Sequence, residues 1–291
     1  MDTTLHEALT YYAAHSSITD PGVHRALFDD LPRDLPTLHQ IVQNIYIHVW
    51  KIRKYHPGWL KGRTHEIESR TVEKSLSRVL EHDTRPLTEV RPKEKKLIID
   101  CRHFAVLLVA MLRHQGIPAR ARCGFATYLE KSHYQDHWVC EYWNADQGRW
   151  ILEDPDLVKH DVSRDEFITG GKAWQLVRSG QMSDLQFGFA PDMLGMWAVR
   201  FDLVRDFASL NGFECLSGDS WGIIDKPEPT ITGRDLKLLD EAAAWSLSDD
   251  GQFEAMRAFY ESHDAFRVPR IIHTYNYVAD KNLEVNLDER G

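Results

Sequence analysis

Cys101 is the residue whose position best suits nucleophilic chemistry. It opens an apolar segment, CysArgHisPheAlaValLeuLeu, whose periodicity predicts a helix over 101–115, with Asp100 as N-cap and Gly116 ending it. Pro118 forbids continuation. A thiol in the first turn of a helix meets free backbone N–H groups and the positive end of the dipole, and both favour the thiolate. Cys123, Cys140 and Cys215 read as packing residues. The four cysteines show neither CxxC spacing nor the density of a disulfide scaffold.

A cysteine nucleophile needs a base within hydrogen-bond reach and a third group to hold that base. Three strand-like runs follow the predicted helix, at 119–129, 137–144 and 149–154, with AspGlnGly at 146–148 as the hairpin turn. If that turn closes the last two runs, His137 falls opposite or diagonal to Asp154 on one face. A carboxylate there would fix the imidazole tautomer and stabilise the imidazolium. Asp156, two residues on and of the same parity, is a rival for that role. The plainer readings are a packed core histidine beside Trp138 and an aspartate that merely ends a strand before Pro155.

The elements that must hold these groups follow from periodicity. Leu38, Ile41, Val42, Ile45, Val49 and Ile52 recur at helical spacing, as do Val72, Leu76, Val79 and Leu80. ArgProLysGluLysLys at 91–96 reads as a solvated connector before Ile98 and Ile99 enter the core. Helical patterns return at 194–211, 234–246 and 252–262. The expectation is one globular unit over 1–291, with a core at 36–160 that includes N-terminal helices and a mainly helical extension at 161–291. A net charge of -9 disfavours broad attraction to nucleic acid or anionic membrane. The basic and aromatic residues Lys51, Arg53, Lys54, Tyr55 and Trp59 read as the wet face of a helix and its exit loop. The longest apolar run, 104–112, is far shorter than the ~20 residues that span a bilayer, and the N-terminus lacks a signal pattern, so a cytoplasmic protein is expected.

The stretch from about Asp100 to Asp156 resembles a transglutaminase-like cysteine domain. The resemblance is carried by CysArgHisPheAlaValLeuLeu, LeuArgHisGlnGlyIleProAlaArg at 112–120, GlyPhe at 124–125, AspHisTrpVal at 136–139 and GluAspPro at 153–155. It implies Cys101 as nucleophile, His137 as base and acid, and Asp154 as orienter. The implied fold is α+β, papain-like, with the cysteine helix packed on an antiparallel sheet and helical segments flanking it. Members of the family include acyltransferases, amidases, proteases and silent binding domains, so the resemblance implies a Cys-His-Asp acyl-transfer enzyme on an amide or thioester, with a binding module as the alternative. LysLysLeuIleIleAsp replaces the glycine-rich turn that often precedes the family's cysteine. The Cys101 N–H is one candidate oxyanion donor, and Tyr55 and Trp59 are candidates from elsewhere in the chain.

No cofactor and no metal is expected: no DxDxDG loop is present, and His133 with His137 lacks the HEXXH context. The expected partner is a small-molecule or peptide substrate. Trp59 and the polar, aromatic segment 211–222, with Asn211, Glu214, Asp219 and Trp221, are candidates to line its cleft.

Overall fold

The computed structural model describes residues 3–288. Helix α1 (Thr3–Ala13) packs under the core, followed by α2 (Leu35–Ile45), capped by the Asp34 carboxylate accepting from Thr37 N–H. The helical periodicity from Leu38 to Ile52 does not run through. Tyr46–His48 form a short strand, β1, that pairs in parallel with β2 (Leu97–Ile99), before α3 (Val49–Tyr55) resumes the helix. Sheet pairing overrides local propensity there because both strands are buried. Helix α4 (Val72–His82) lies between them in sequence, with Thr71 as N-cap. The charged connector is only partly solvated: Arg91 is buried and its guanidinium donates to the carbonyls of Asp83, Arg85 and Pro86.

Helix α5 (Cys101–His114) is buried along almost its whole length, which fits its uninterrupted apolar sequence. It packs on β3 (Ala119–Ala126) and β4 (Tyr134–Asn144). With β5 (Arg149–Glu153) and β6 (Phe167–Thr169) these make an antiparallel sheet in the order β5-β4-β3-β6. A fifth strand, β7 (Phe187–Gly188), joins β4 in parallel. Gly124 is needed where β6 approaches, because a Cβ there would strike the Ile168 carbonyl. Gly148, at φ +62, closes the β4–β5 turn.

Beyond the sheet come α6 (Gly170–Arg178), α7 (Met196–Leu210), α8 (Gly233–Ser246) and α9 (Phe253–Glu261), of which α7 covers β3. The extension is less helical than its patterning suggests. It holds a second sheet in which β8 (Asp219–Ser220) pairs with β9 (Ile271–Asn276), itself a hairpin with β10 (Lys281–Asn286). The fold is mixed α+β with an antiparallel sheet and the cysteine helix against it, as the sequence implies. No described helix is long and apolar enough to cross a membrane.

Candidate active site

Cys101 is the first residue of α5 and is 7 % exposed, whereas the other three thiols are fully enclosed. The packing of α5 on β4 brings its sulfur to the backbone N–H of Trp138, the residue after His137. Asp100 occupies the N-cap position, but its carboxylate turns to His103 instead of capping: Oδ1 accepts from Nδ1 at 2.7 Å. The Tyr277 hydroxyl donates to the other oxygen at 3.3 Å.

The β4–β5 ladder ends at the pair Cys140–Glu153. That register sets Asp154 diagonal to His137, just beyond the end of β5, where the chain turns back on itself through a bridge from Asp154 to Lys159. His137 Nε2 donates to Asp154 Oδ2 at 2.9 Å, and the Tyr128 hydroxyl donates to the same oxygen at 2.9 Å. The other oxygen accepts the backbone N–H groups of Asp156 and Leu157. Asp154 is thus held on four sides. The turn beyond it stores backbone strain: Val158 and Asp161 sit at φ +56 and +46, a region that costs a branched residue on the order of 1–2 kcal/mol.

Asp156 faces a different imidazole. Its Oδ2 lies 3.6 Å from His48 Nε2, and its Oδ1 lies 3.8 Å from the Lys51 ammonium. His48 also accepts the Trp50 N–H at Nδ1, which caps α3. The carboxylate in contact with His137 is therefore that of Asp154.

Charge around the site is uneven. Burial raises the Cys101 thiol well above its ordinary pKa, and the carboxylates of Asp100, Asp136 and Asp156 raise it further, against the Trp138 N–H. Burial and these three acids act on the thiol in the direction opposite to that expected of a helix start. For His137, burial opposes the charged ring, yet Asp154, Asp156 and Asp136 outweigh it and its pKa is raised. Asp154 is likewise pushed up by burial, but His137, Leu157 N–H and Tyr128 bring it below the usual carboxylate range.

The segment 211–222 is built into the scaffold. Glu214 is fully buried, accepting from Ser16 Oγ at 2.8 Å and pairing with Arg113 at 3.1 Å. Asp219 lies in β8, pairs with Arg70 and accepts the Leu216 N–H. The Trp221 indole is enclosed and donates to the Phe266 carbonyl. Asn211 donates to Phe207 O at the end of α7. Of the two aromatic candidates, Trp59 stacks on His56 at 4.3 Å and Tyr55 stands 64 % exposed. No contact among the described residues directs either at Cys101. A surface depression of about 500 Å³ lined by Lys172, Trp174, Arg178 and Asp240 includes no residue of the Cys-His-Asp set.

Tyr128, His48 and Tyr277 are the site neighbours that sequence reasoning missed. Tyr128 lies in the predicted strand run 119–129, so its presence beside a strand histidine was a usable signal. The other two carry none, since their contacts depend on β1 pairing and on the C-terminal hairpin.

Residues 84–155 match the Transglutaminase-like superfamily. That segment is transglutaminase-like. The match takes in Cys101, His137 and Asp154 and ends before Asp156. It covers a minority of the chain. No curated protein matches. Among solved structures the chain is similar to a protein from Cytophaga hutchinsonii named as a candidate cysteine protease, at 18 % identity and a TM-score of 0.34. The overlap covers 58 % of this chain and 46 % of the other, so this chain spans less than half of that neighbour's length.

Proposed function

We propose that the chain is a cysteine-type enzyme that transfers acyl groups from an amide or thioester through Cys101, His137 and Asp154. The observation that carries this reading is the buried His137–Asp154 hydrogen bond, next in sequence to the N–H that meets the Cys101 sulfur. With Nε2 committed to Asp154, the ring offers Nδ1 as the base.

The raised thiol and the raised imidazole together suit proton transfer during attack. Nδ1 takes the Cys101 proton as sulfur bonds to the carbonyl carbon, and the raised basicity of His137 drives that transfer. The imidazolium then returns the proton to the departing amine or thiol, leaving an acyl-enzyme. Water as second nucleophile makes the protein an amidase or peptidase, and an amine makes it an amide-forming acyltransferase, with His137 as base in either case. The Cys101 N–H at the start of α5 is one donor to the oxyanion.

The burial and raised pKa of Cys101 favour a second reading, a catalytically silent binding module. Incubation with an activated acyl thioester followed by intact-mass and peptide mapping separates the two. An acyl adduct on Cys101 that is absent in Cys101→Ala and accumulates at least 10-fold more slowly in His137→Ala supports the enzyme. No adduct on any cysteine supports the binding module.

A further inference from the structure

Beside the Cys-His-Asp set, on the residue that precedes Asp154, lies a second constellation that the proposed chemistry does not use. His39 on α2, Glu153 at the end of β5 and His160 in the turn that follows Asp154 bring one ligand atom each to within 4.8 Å of one another. Glu153 Oε2 is shared: His39 Nε2 approaches it to 3.2 Å and His160 Nδ1 to 2.7 Å. The two imidazole rings are tilted by 36° to one another, with centroids 4.6 Å apart.

We propose that His39, Glu153 and His160 form a binding site for a divalent transition metal of the zinc class. Two imidazoles and one carboxylate are a ligand set suited to such an ion. Bonds of about 2.0–2.1 Å in a tetrahedron set neighbouring donor atoms roughly 3.3 Å apart, close to the His39–Glu153 spacing. Independent support comes from His39 itself. Its side chain is wholly buried, and neither ring nitrogen has a hydrogen bond, although Nε2 lies 3.2 Å from the shared oxygen. A buried imidazole in that state is costly unless a partner fills it. Glu153 is positioned by the Asp161 N–H on its other oxygen, which supports a ligand from behind. His160 is half-exposed, so the ion has an entry path and an open fourth position for water. On binding, the His160 ring proton moves from Nδ1 to the other nitrogen and Nδ1 coordinates.

Gln43, one turn along α2 from His39, donates to the carbonyls of Pro155 and Asp156. A metal at Glu153 would therefore strengthen an existing latch between α2 and the strained turn that carries Asp154. Its role is positional and leaves the acyl chemistry to the thiol. A second grouping, Cys123 with Asp136 and Asp202, is bridged by the Arg205 guanidinium, which donates to both carboxylates.

The test uses the full chain carrying Cys101→Ser, which removes the competing thiol, stripped of metal and titrated with Zn²⁺ against a chromophoric chelator. One ion per chain with micromolar or tighter affinity is expected, weakened at least 10-fold in His160→Ala and in Glu153→Gln. His160→Ala changes a half-exposed side chain, so its folding is secure and its result stands alone. Zinc at 100-fold above Kd should raise Tm by roughly 5 °C, and His160→Ala should lose that rise. Co²⁺ in place of Zn²⁺ should give visible d–d bands with no sulfur charge-transfer band. Absence of binding, equal affinity in His160→Ala, or a thiolate-to-cobalt band would each overturn the proposal.

Discussion

His137 and Asp154 are joined by one hydrogen bond, Nε2 to Oδ2 at 2.9 Å, made diagonally just past the last pair of the β4–β5 ladder. Neither residue depends on the other for its place. β4 fixes the backbone of His137, while Tyr128 and two backbone N–H groups fix the carboxylate. Asp154→Asn keeps the shape and removes the charge that holds the imidazolium. It should lower kcat/KM by about 10²–10⁴-fold with little change in KM. Tyr128→Phe should cost roughly 10-fold or less, since the other three partners remain. Asp154→Ala orphans four donors in a buried site and should also destabilise by about 2–4 kcal/mol. Steady-state kinetics with urea denaturation on the same variants separates orientation from folding.

The same pair should leave a signature in stability against pH. The raised His137 pKa contributes stability that is fully present below its ordinary value of 6.5 and is lost as pH rises through the folded value. The depressed Asp154 pKa contributes stability that is present above 3.8 and is lost as pH falls through the folded value. The destabilisation caused by His137→Gln should therefore be largest between about pH 4 and 6.5 and shrink on the alkaline side. Urea midpoints of both proteins across pH 3–9 check this, and a difference that grows above neutrality contradicts it.

Thiol reactivity should follow access first and charge second. Cys101 is partly reachable and the other thiols are fully enclosed, so limited iodoacetamide should label Cys101 before Cys123, Cys140 or Cys215. The rate should keep rising through pH 8 instead of levelling, because burial and the three neighbouring acids hold the thiol up. Asp156→Asn removes one of those acids and should shift the profile towards lower pH, with labelling at pH 7 several-fold faster. Peptide mapping identifies the labelled site, and an unchanged or alkaline-shifted profile would show that Asp156 does not act on the sulfur.

The sequence carried the site's local geometry much better than its surroundings. The Cys101 helix, the strand runs and the parity of His137 with Asp154 were legible because each depends on short-range periodicity and one turn. The preference for Asp154 over Asp156 rests on the family resemblance alone, because both share a face and only the diagonal register and the His48 contact distinguish them by geometry. His48 could not be placed, since its strand reads as helix until β2 pairs with it. The hairpin 271–286 left no expectation at all. Its outward side chains alternate with buried Ile272, Thr274 and Asn276, two of them polar, and that mixture hides the strand signal.

The segment 211–222 shows how a polar, aromatic loop can suggest a ligand cleft yet serve as a strut. Its acids answer to arginines that the sequence places far away: Glu214 pairs with Arg113 of α5 and Asp219 with Arg70, while Arg102 donates to the Glu214 carbonyl and the Arg70 carbonyl. The loop thus braces the cysteine helix at both ends of its buried face. A cleft-lining loop and a brace predict opposite results for the conservative change Glu214→Gln. In a cleft the variant would raise KM at constant stability. As a brace it leaves Arg113 without its counter-charge in a buried setting, where removing one partner costs about 3–5 kcal/mol and an amide recovers part of that. The expected outcome is a loss of about 2–4 kcal/mol in urea unfolding, with KM and the Cys101 labelling rate near wild type below the unfolding midpoint. A KM increase without destabilisation would return the segment to the substrate.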